Sequence, residues 1–404
     1  MIYGKMVYKG RIIEAGIEFE GEFIKKIGKL VKGRKVDGII LPAGIDVHVH
    51  LRDFREKHKE TIESGTLSAL FGGMCLVVDQ PNTKPVVDNK DIYERRIKIA
   101  EKDSYVDYAL NLALTRKNSD KILDIVSDLR KKYYLPAVGE VFIQHSDENM
   151  QISYDLLRKI KLDLMTIHAE DPDYVSDGLP NFMYRKREAE IKAVKECLKI
   201  GNFHFCHIST KEAAELILNS NSTFEVTPHH LLLTVEDYDR LNGFVNVNPP
   251  LRSKDEAGWL LANIDKVDVL ASDHAPHTPD EKISGAPGFP GVETMYPVFV
   301  NFVFKGLLSL ETLIEKIAVN PAKIFGFRHY GAIEVGKYAN LAVFNPKNKT
   351  VIKADKLHSL CGWTPYEGFE AVFPEKVYIR GKEALADTFV KCGSILKPND
   401  GRTL

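Results

Sequence analysis

Residues 44–53, GIDVHVHLRD, read as an apolar strand that carries polar residues at its end. His48 and His50 stand at i and i+2, so on a strand their side chains leave the same face. Runs of the same character recur along the chain: MCLVVDQ (74–80), YALNLAL (108–114), LMTIHAED (164–171), FHFCHIST (203–210), TFEVTPHH (223–230) and VDVLASDH (267–274). An eighth lies near AVGEVFIQ (137–144). The stretches between them are amphipathic. Ile122, Val126, Leu129 and Tyr133 follow helical spacing, which predicts a helix over 119–133 with Ser119 as its N-cap. Strands alternating with helices predict a parallel sheet with right-handed crossovers. Eight strands favour closure into a (β/α)8 TIM barrel over residues 44–332. A doubly wound open sheet is the alternative, and no GxGxxG or Walker glycine pattern supports it.

The flanks differ in texture. KMVYKGRIIEAGIEFEGEFIKKIG near the start and GKYANLAVFN, KTVIK and EKVYIRGKEAL near the end alternate apolar and polar residues, with glycines at the turns. Neither flank offers a two-sided core alone. The expectation is one small β-sandwich-like domain built from 1–43 and 333–404.

Composition narrows the function classes. Of 404 residues, Lys and Arg total 55 against 56 Asp and Glu, a formal net charge of -1. That balance argues against a nucleic-acid binder, which carries a basic excess. No run approaches the roughly 18 apolar residues of a membrane span. The first residues, MIYGKMVYKGRIIEAG, are too charged for a signal peptide. Five cysteines (75, 197, 206, 361 and 392) form no CxxC pair, and an odd number speaks against a disulfide framework. The expected setting is cytoplasmic, with no nucleic-acid or membrane partner.

The ends of the strands carry the chemistry. His168 ends LMTIH, His207 ends FHFCH and Asp273 ends VDVLASD. With His48 and His50 they converge on the C-terminal rim of the predicted barrel, where catalytic groups of this architecture gather. A lone strand histidine is usually a hydrogen-bonded structural residue. Five such groups on one rim instead suit a zinc-like ion with an incomplete protein shell. His229 and His230 are adjacent, face opposite sides of a strand, and read as structural.

GIDVHVHLRD, QPNTKP (80–85), IHAED, CHIST, VNPPLR (247–252), ASDHAPHT (271–278) and WTPYEG (363–368) together resemble the dihydroorotases of the amidohydrolase superfamily. The resemblance implies a reversible, zinc-dependent cyclisation of N-carbamoyl-L-aspartate to L-dihydroorotate, a small-molecule reaction of pyrimidine biosynthesis. It places His48, His50 and Asp273 on one Zn2+ and His168 and His207 on a second, with one or two ions per subunit left open. Water activated by the metal would attack the amide, with Asp273 as general acid and base. Arg52, Asn82, Asn248, His277, His50 and the Pro287–Gly288 region would contact substrate. Asn82 and Asn248 also have plain readings as turn and loop formers. A closing loop over 143–150 would bring Ser146 to the substrate.

Relatives bridge the two ions with a carboxylate, often a carboxylated lysine. Two candidates stand. Alignment of the fourth strand without a gap selects Glu140, an acid in the apolar run AVGEVFI whose burial a metal would explain. Lys132 imitates the lysine motif but requires a gap, and as a cation at a helix C-terminus it has a structural explanation. Hydantoinases, dihydropyrimidinases and allantoinases share the metal set and are the competing activities. An inactive homologue acting as a scaffold is the other class. Homo-oligomerisation and association with aspartate transcarbamoylase remain open at this level.

Overall fold

The computed structural model describes residues 1–241 and 243–401. The chain opens with β1 (Ile2–Tyr8), β2 (Arg11–Glu20), β3 (Phe23–Gly28) and β4 (Arg34–Pro42). Eight short strands follow: β5 (Gly44–Val49), β6 (Met74–Asp79), β7 (Asp107–Leu110), β8 (Val138–Phe142), β9 (Met165–His168), β10 (His204–Phe205), β11 (Thr223–Val226) and β12 (Val269–Leu270). All eight candidate runs of the sequence form strands. Their ladders are parallel, in the orders β5-β6-β7 and β12-β11-β10-β9-β8.

Two bridges join these sheets into a closed barrel. Leu112, just beyond β7, pairs with Val138 of β8, and the Gly139 amide donates to the Leu112 carbonyl at 3.0 Å. Val49 of β5 pairs with His274 beyond β12, and the His50 amide donates to the His274 carbonyl at 2.7 Å. Helices return the chain between strands. The helix Ile62–Phe71 begins at Thr61 in a reciprocal capping box with Ser64, and Lys90–Asp103 is capped by Asn89.

The helix expected over 119–133 is shorter, Ile122–Arg130, preceded by a 3-10 turn over Ser119–Lys121. Ser119 does not cap it. Its hydroxyl donates to the Arg116 carbonyl at 3.0 Å. Ile122, Val126 and Leu129 are buried as their spacing requires, and Tyr133 packs into the same core from the turn that follows.

The chain ends form a second sheet. β13 (Leu341–Val351), β14 (Glu370–Ile379) and β15 (Lys382–Leu385) join the first four strands in the order β15-β14-β13-β4-β1-β2-β3. This sheet curls back on itself, since the Ile24 amide of β3 donates to the Lys337 carbonyl, just before β13. Ile2, Met6, Ile17, Ile40, Leu341 and Val343 fill the fold of the curl as a separate core. Beyond β15 the described residues leave the sheet and pack against the barrel: the Tyr108 amide donates to the Ser394 carbonyl, and the Arg328 amide to the Asp400 carbonyl. No helix among the described residues is long and apolar enough to cross a membrane.

Candidate active site

At the C-terminal ends of the barrel strands lies a cavity of about 540 Å³. His50, Glu140, His168, His207 and Asp273 line its floor, with His48 buried beside them. Arg52, Asn82, Asn248, His277, Pro287 and Gly288 line its walls, and Ser146 stands exposed at its rim. The side chains singled out in the sequence therefore share one chamber.

Several reach it through unusual backbone. Between Val138 and Val141 three steps of β8 oppose two of β9, a bulge at Gly139–Glu140 that turns the Glu140 side chain inward. Gly139 has φ +149°, and a Cβ there would lie 2.0 Å from Thr166 Oγ1, so only glycine fits. Arg52, His207 and Asp273 adopt positive φ (48°, 35° and 44°), a costly choice found where function holds the backbone. Arg52 thus enters the cavity from a left-handed turn after β5, not by continuing the strand alternation.

Glu140 turns one oxygen to two imidazoles and the other to a third. Oε1 lies 2.7 Å from His207 Nε2 and 3.0 Å from His168 Nδ1, while Oε2 lies 3.5 Å from His48 Nε2. Asp273 Oδ1 closes the other side, 3.0 Å from His50 Nε2 and 3.6 Å from His48 Nε2. His48 Nε2 is buried with no hydrogen-bond partner among the described residues. Ligands about 2.0–2.2 Å from a tetrahedral ion sit roughly 3.3–3.5 Å from one another, close to the spacings seen around Glu140 and Asp273. Nitrogen and carboxylate donors in this mixture suit a divalent ion of zinc type. Lys132 is remote from this chemistry. It is exposed and pairs with Glu94 at 3.2 Å.

Outer partners fix which imidazole nitrogen faces inward. Glu225 Oε1 accepts from His48 Nδ1 at 2.5 Å, Glu170 Oε2 from His168 Nε2 at 2.8 Å, and Asn82 Oδ1 from His50 Nδ1 at 2.8 Å. Arg185 in turn pairs with Glu170. Burial pushes the Glu225 carboxyl up, but His48 and His204 outweigh it and hold it down at about 2. Burial likewise opposes ionisation of Glu140, yet His48, His168 and His207 bring it well below the usual carboxylate range. Asp273 is lowered against its burial by His50 and His48. Burial pulls the His168 ring down, and Glu140 and Glu170 lift it to about 9. The acids at this floor are thus anionic and available as ligands.

The sequence reading did not single out Glu170 or Glu225. Both were visible: Glu170 stands in IHAED, and Glu225 is an acid inside the apolar run TFEV, the same signal that marked Glu140. His229 and His230 lie on a short helix, Pro228–Leu232, and not on a strand. His230 Nε2 donates to the Pro249 carbonyl at 3.0 Å, and burial holds His229 down at about 3.

A barrel with buried histidines and acids at its rim matches the amidohydrolase family model over residues 39–383. The chain belongs to the amidohydrolase family. It is 63% identical over 401 residues to a dihydroorotase of Archaeoglobus fulgidus, covering 98% of this chain and 99% of that one. A dihydroorotase of Pyrococcus furiosus is 42% identical over 381 residues, covering 91% and 88%. Among solved structures, the L-hydantoinase of Arthrobacter aurescens superposes with TM-score 0.89 at 23% identity, covering 97% of this chain and 98% of that one. At that identity the likeness speaks for the amidohydrolase fold alone.

Proposed function

We propose that this amidohydrolase is a dihydroorotase, opening the ring of L-dihydroorotate to N-carbamoyl-L-aspartate and closing it in reverse. The observation that carries the reading is 63% identity to a dihydroorotase over nearly the full length of both chains. The cavity supports it with an Arg52–His277 pair on its wall, a group suited to a carboxylate on the substrate. The hydantoinase neighbours share the fold and stand at 21–24% identity. An inactive scaffold is disfavoured because His48, His50, His168, His207 and Asp273 are all in place.

His48, His50 and Asp273 would hold one Zn2+ ion and His168 and His207 a second, with Glu140 completing the donor set. Ions held there would polarise the amide carbonyl and make water a competent nucleophile near neutral pH. The chain supplies the remaining chemistry. Arg52, Asn82 and His277 grip the substrate carboxylate and set the ring over the floor. Asn248 and the Pro287–Gly288 backbone bound its other edge. Asp273, ionised, takes the proton from the attacking water at a carboxylate oxygen and passes it to the departing ring nitrogen. Ring closure uses the same groups in reverse. The 143–150 loop, with Ser146 at the rim, closes over bound substrate and excludes bulk water. Five free cysteines fit a cytoplasmic enzyme.

The deciding experiment compares purified, zinc-loaded protein on dihydroorotate, hydantoin and dihydrouracil. Turnover of dihydroorotate far above the other two is the expected result. Preference for hydantoin or dihydrouracil would overturn the substrate assignment, and inertness toward all three would restore the scaffold.

A further inference from the structure

Lys282 is buried, and its contacts belong to the wall of the cavity and not to the metal floor. It sits on the short helix Pro279–Ile283 that follows His277. Its Nζ donates to three backbone carbonyls, Asn246 at 2.6 Å, Ala286 at 2.8 Å and Gly288 at 3.0 Å. An ammonium has three N–H donors and no acceptor, so this set matches the charged form donor for donor. A neutral amine would turn a lone pair onto a carbonyl lone pair. Burial and the nearby Arg52 pull the group well below the usual lysine range, whereas three carbonyls aimed at its N–H donors favour the charged form.

The carbonyls belong to two separate loops. Asn246 opens the segment that carries Asn248, and Ala286 and Gly288 bracket Pro287. The loops also meet directly, since the Gly288 amide donates to Asn246 O at 3.0 Å. On another side the ammonium faces the rings of Phe289 and Trp363, at 4.9 and 5.4 Å from their centroids. Trp363 Nε1 donates to the His277 carbonyl at 2.8 Å. One cation therefore ties together the two wall loops and, through Trp363, the backbone of His277.

We infer that Lys282 is a positioning residue for substrate binding: it fixes the Asn246–Asn248 and Ala286–Gly288 segments in the geometry that grips the non-reacting edge of the cyclic amide. The inference rests on the dihydroorotase reading above. Its loss loosens the grip on substrate and leaves the floor intact, because none of the three carbonyls belongs to a residue assigned to the metals.

The test uses full-length, zinc-loaded wild type with Lys282→Met, Lys282→Gln and Lys282→Arg. The measurements are KM and kcat on dihydroorotate, zinc content, and amide hydrogen exchange over 246–251 and 286–291. Lys282→Met is expected to raise KM on the order of 10–10²-fold with kcat within about threefold, as misplaced binding groups do. Zinc content stays at the wild-type value and exchange accelerates in both segments together. Lys282→Gln, with two donors and no charge, falls between, and Lys282→Arg recovers most of the affinity. If Lys282→Met is insoluble, Lys282→Gln carries the same comparison. An unchanged KM, or kcat and zinc falling together with KM unmoved, would overturn the role. Wild type inert on dihydroorotate would refute the activity instead, and the exchange comparison would still decide whether Lys282 holds the two loops.

Discussion

Arg52 Nη2 lies 3.0 Å from His277 Nε2, and on the opposite edge of the same ring Lys59 Nζ lies 3.4 Å from Nδ1. Burial, Arg52 and Lys59 all disfavour a second proton and hold the ring well below the usual imidazole range. A lowered imidazole is neutral at every pH above its pKa, so neither member of the Arg52–His277 pair titrates between about pH 6 and 9. KM for dihydroorotate is therefore expected to show no imidazole-like step across that window. A KM that falls on acidification with an apparent pKa near 6.5 would mean that His277 becomes cationic and that the pair is misassigned.

Arg52→Ala is expected to damage catalysis on dihydroorotate far more than it damages zinc binding. Its Nε is anchored on the Pro276 carbonyl at 3.2 Å, which aims the guanidinium at the cavity. Losing a charged fork from a desolvated site typically costs on the order of 10³-fold in kcat/KM. Arg52→Lys restores the charge without the fork and should recover only part of that. Unchanged kinetics in the alanine variant would remove Arg52 from the carboxylate clamp.

Glu140 faces three imidazoles with its two oxygens, while Lys132 is exposed beside Glu94. Glu140→Ala should therefore lower the zinc content of the purified protein and abolish turnover. Lys132→Ala should leave both near wild type. Elemental analysis and kinetics on the two variants check this, and the opposite pattern would hand the bridging role to the lysine.

The barrel and the floor were legible because the strands announce themselves as apolar runs, and those that build the floor carry an imidazole or an acid in or just after the run. What was hidden follows from geometry that spacing does not encode. Arg52, two residues beyond His50, reaches the cavity through a left-handed turn that residue spacing does not reveal. TPHH looked like the end of a strand, yet Pro228 at the first turn and Thr227 as the cap start a short helix. Ser119 has the chemistry of an N-cap but is drawn off to the Arg116 carbonyl. The Lys282 hub joins loops some 36 and 4 residues away in sequence, and no local pattern signals such a contact.

Asp273→Asn is expected to keep the fold and lose turnover. The amide can still meet a metal through its oxygen, but it cannot take a proton from water. The carboxylate is held in its ionised form by His50 and His48 against its own burial, which is the form a base requires. Turnover within about tenfold of wild type would place the acid–base role elsewhere.

Glu225 and Glu170 give the last test, because neither is assigned to the proposed ions and each touches a histidine that is. Glu225 accepts from His48 Nδ1 and Glu170 from His168 Nε2, so each fixes a tautomer with the other nitrogen turned to the floor. Removing such a partner typically costs about 10–100-fold in metal affinity. Glu225 also accepts from His204 Nε2 at 3.1 Å, so Glu225→Gln exposes a second buried ring to an uncharged neighbour and should be the more damaging change. Glu170→Gln leaves Arg185 facing an amide in place of an anion, which keeps one hydrogen bond but loses the ion pair. Competition against a zinc chelator should rank the proteins as wild type, then Glu170→Gln, then Glu225→Gln, with excess zinc restoring part of the lost activity in both. Zinc affinities equal to wild type would show that the two acids support packing and not the tautomers of His48 and His168.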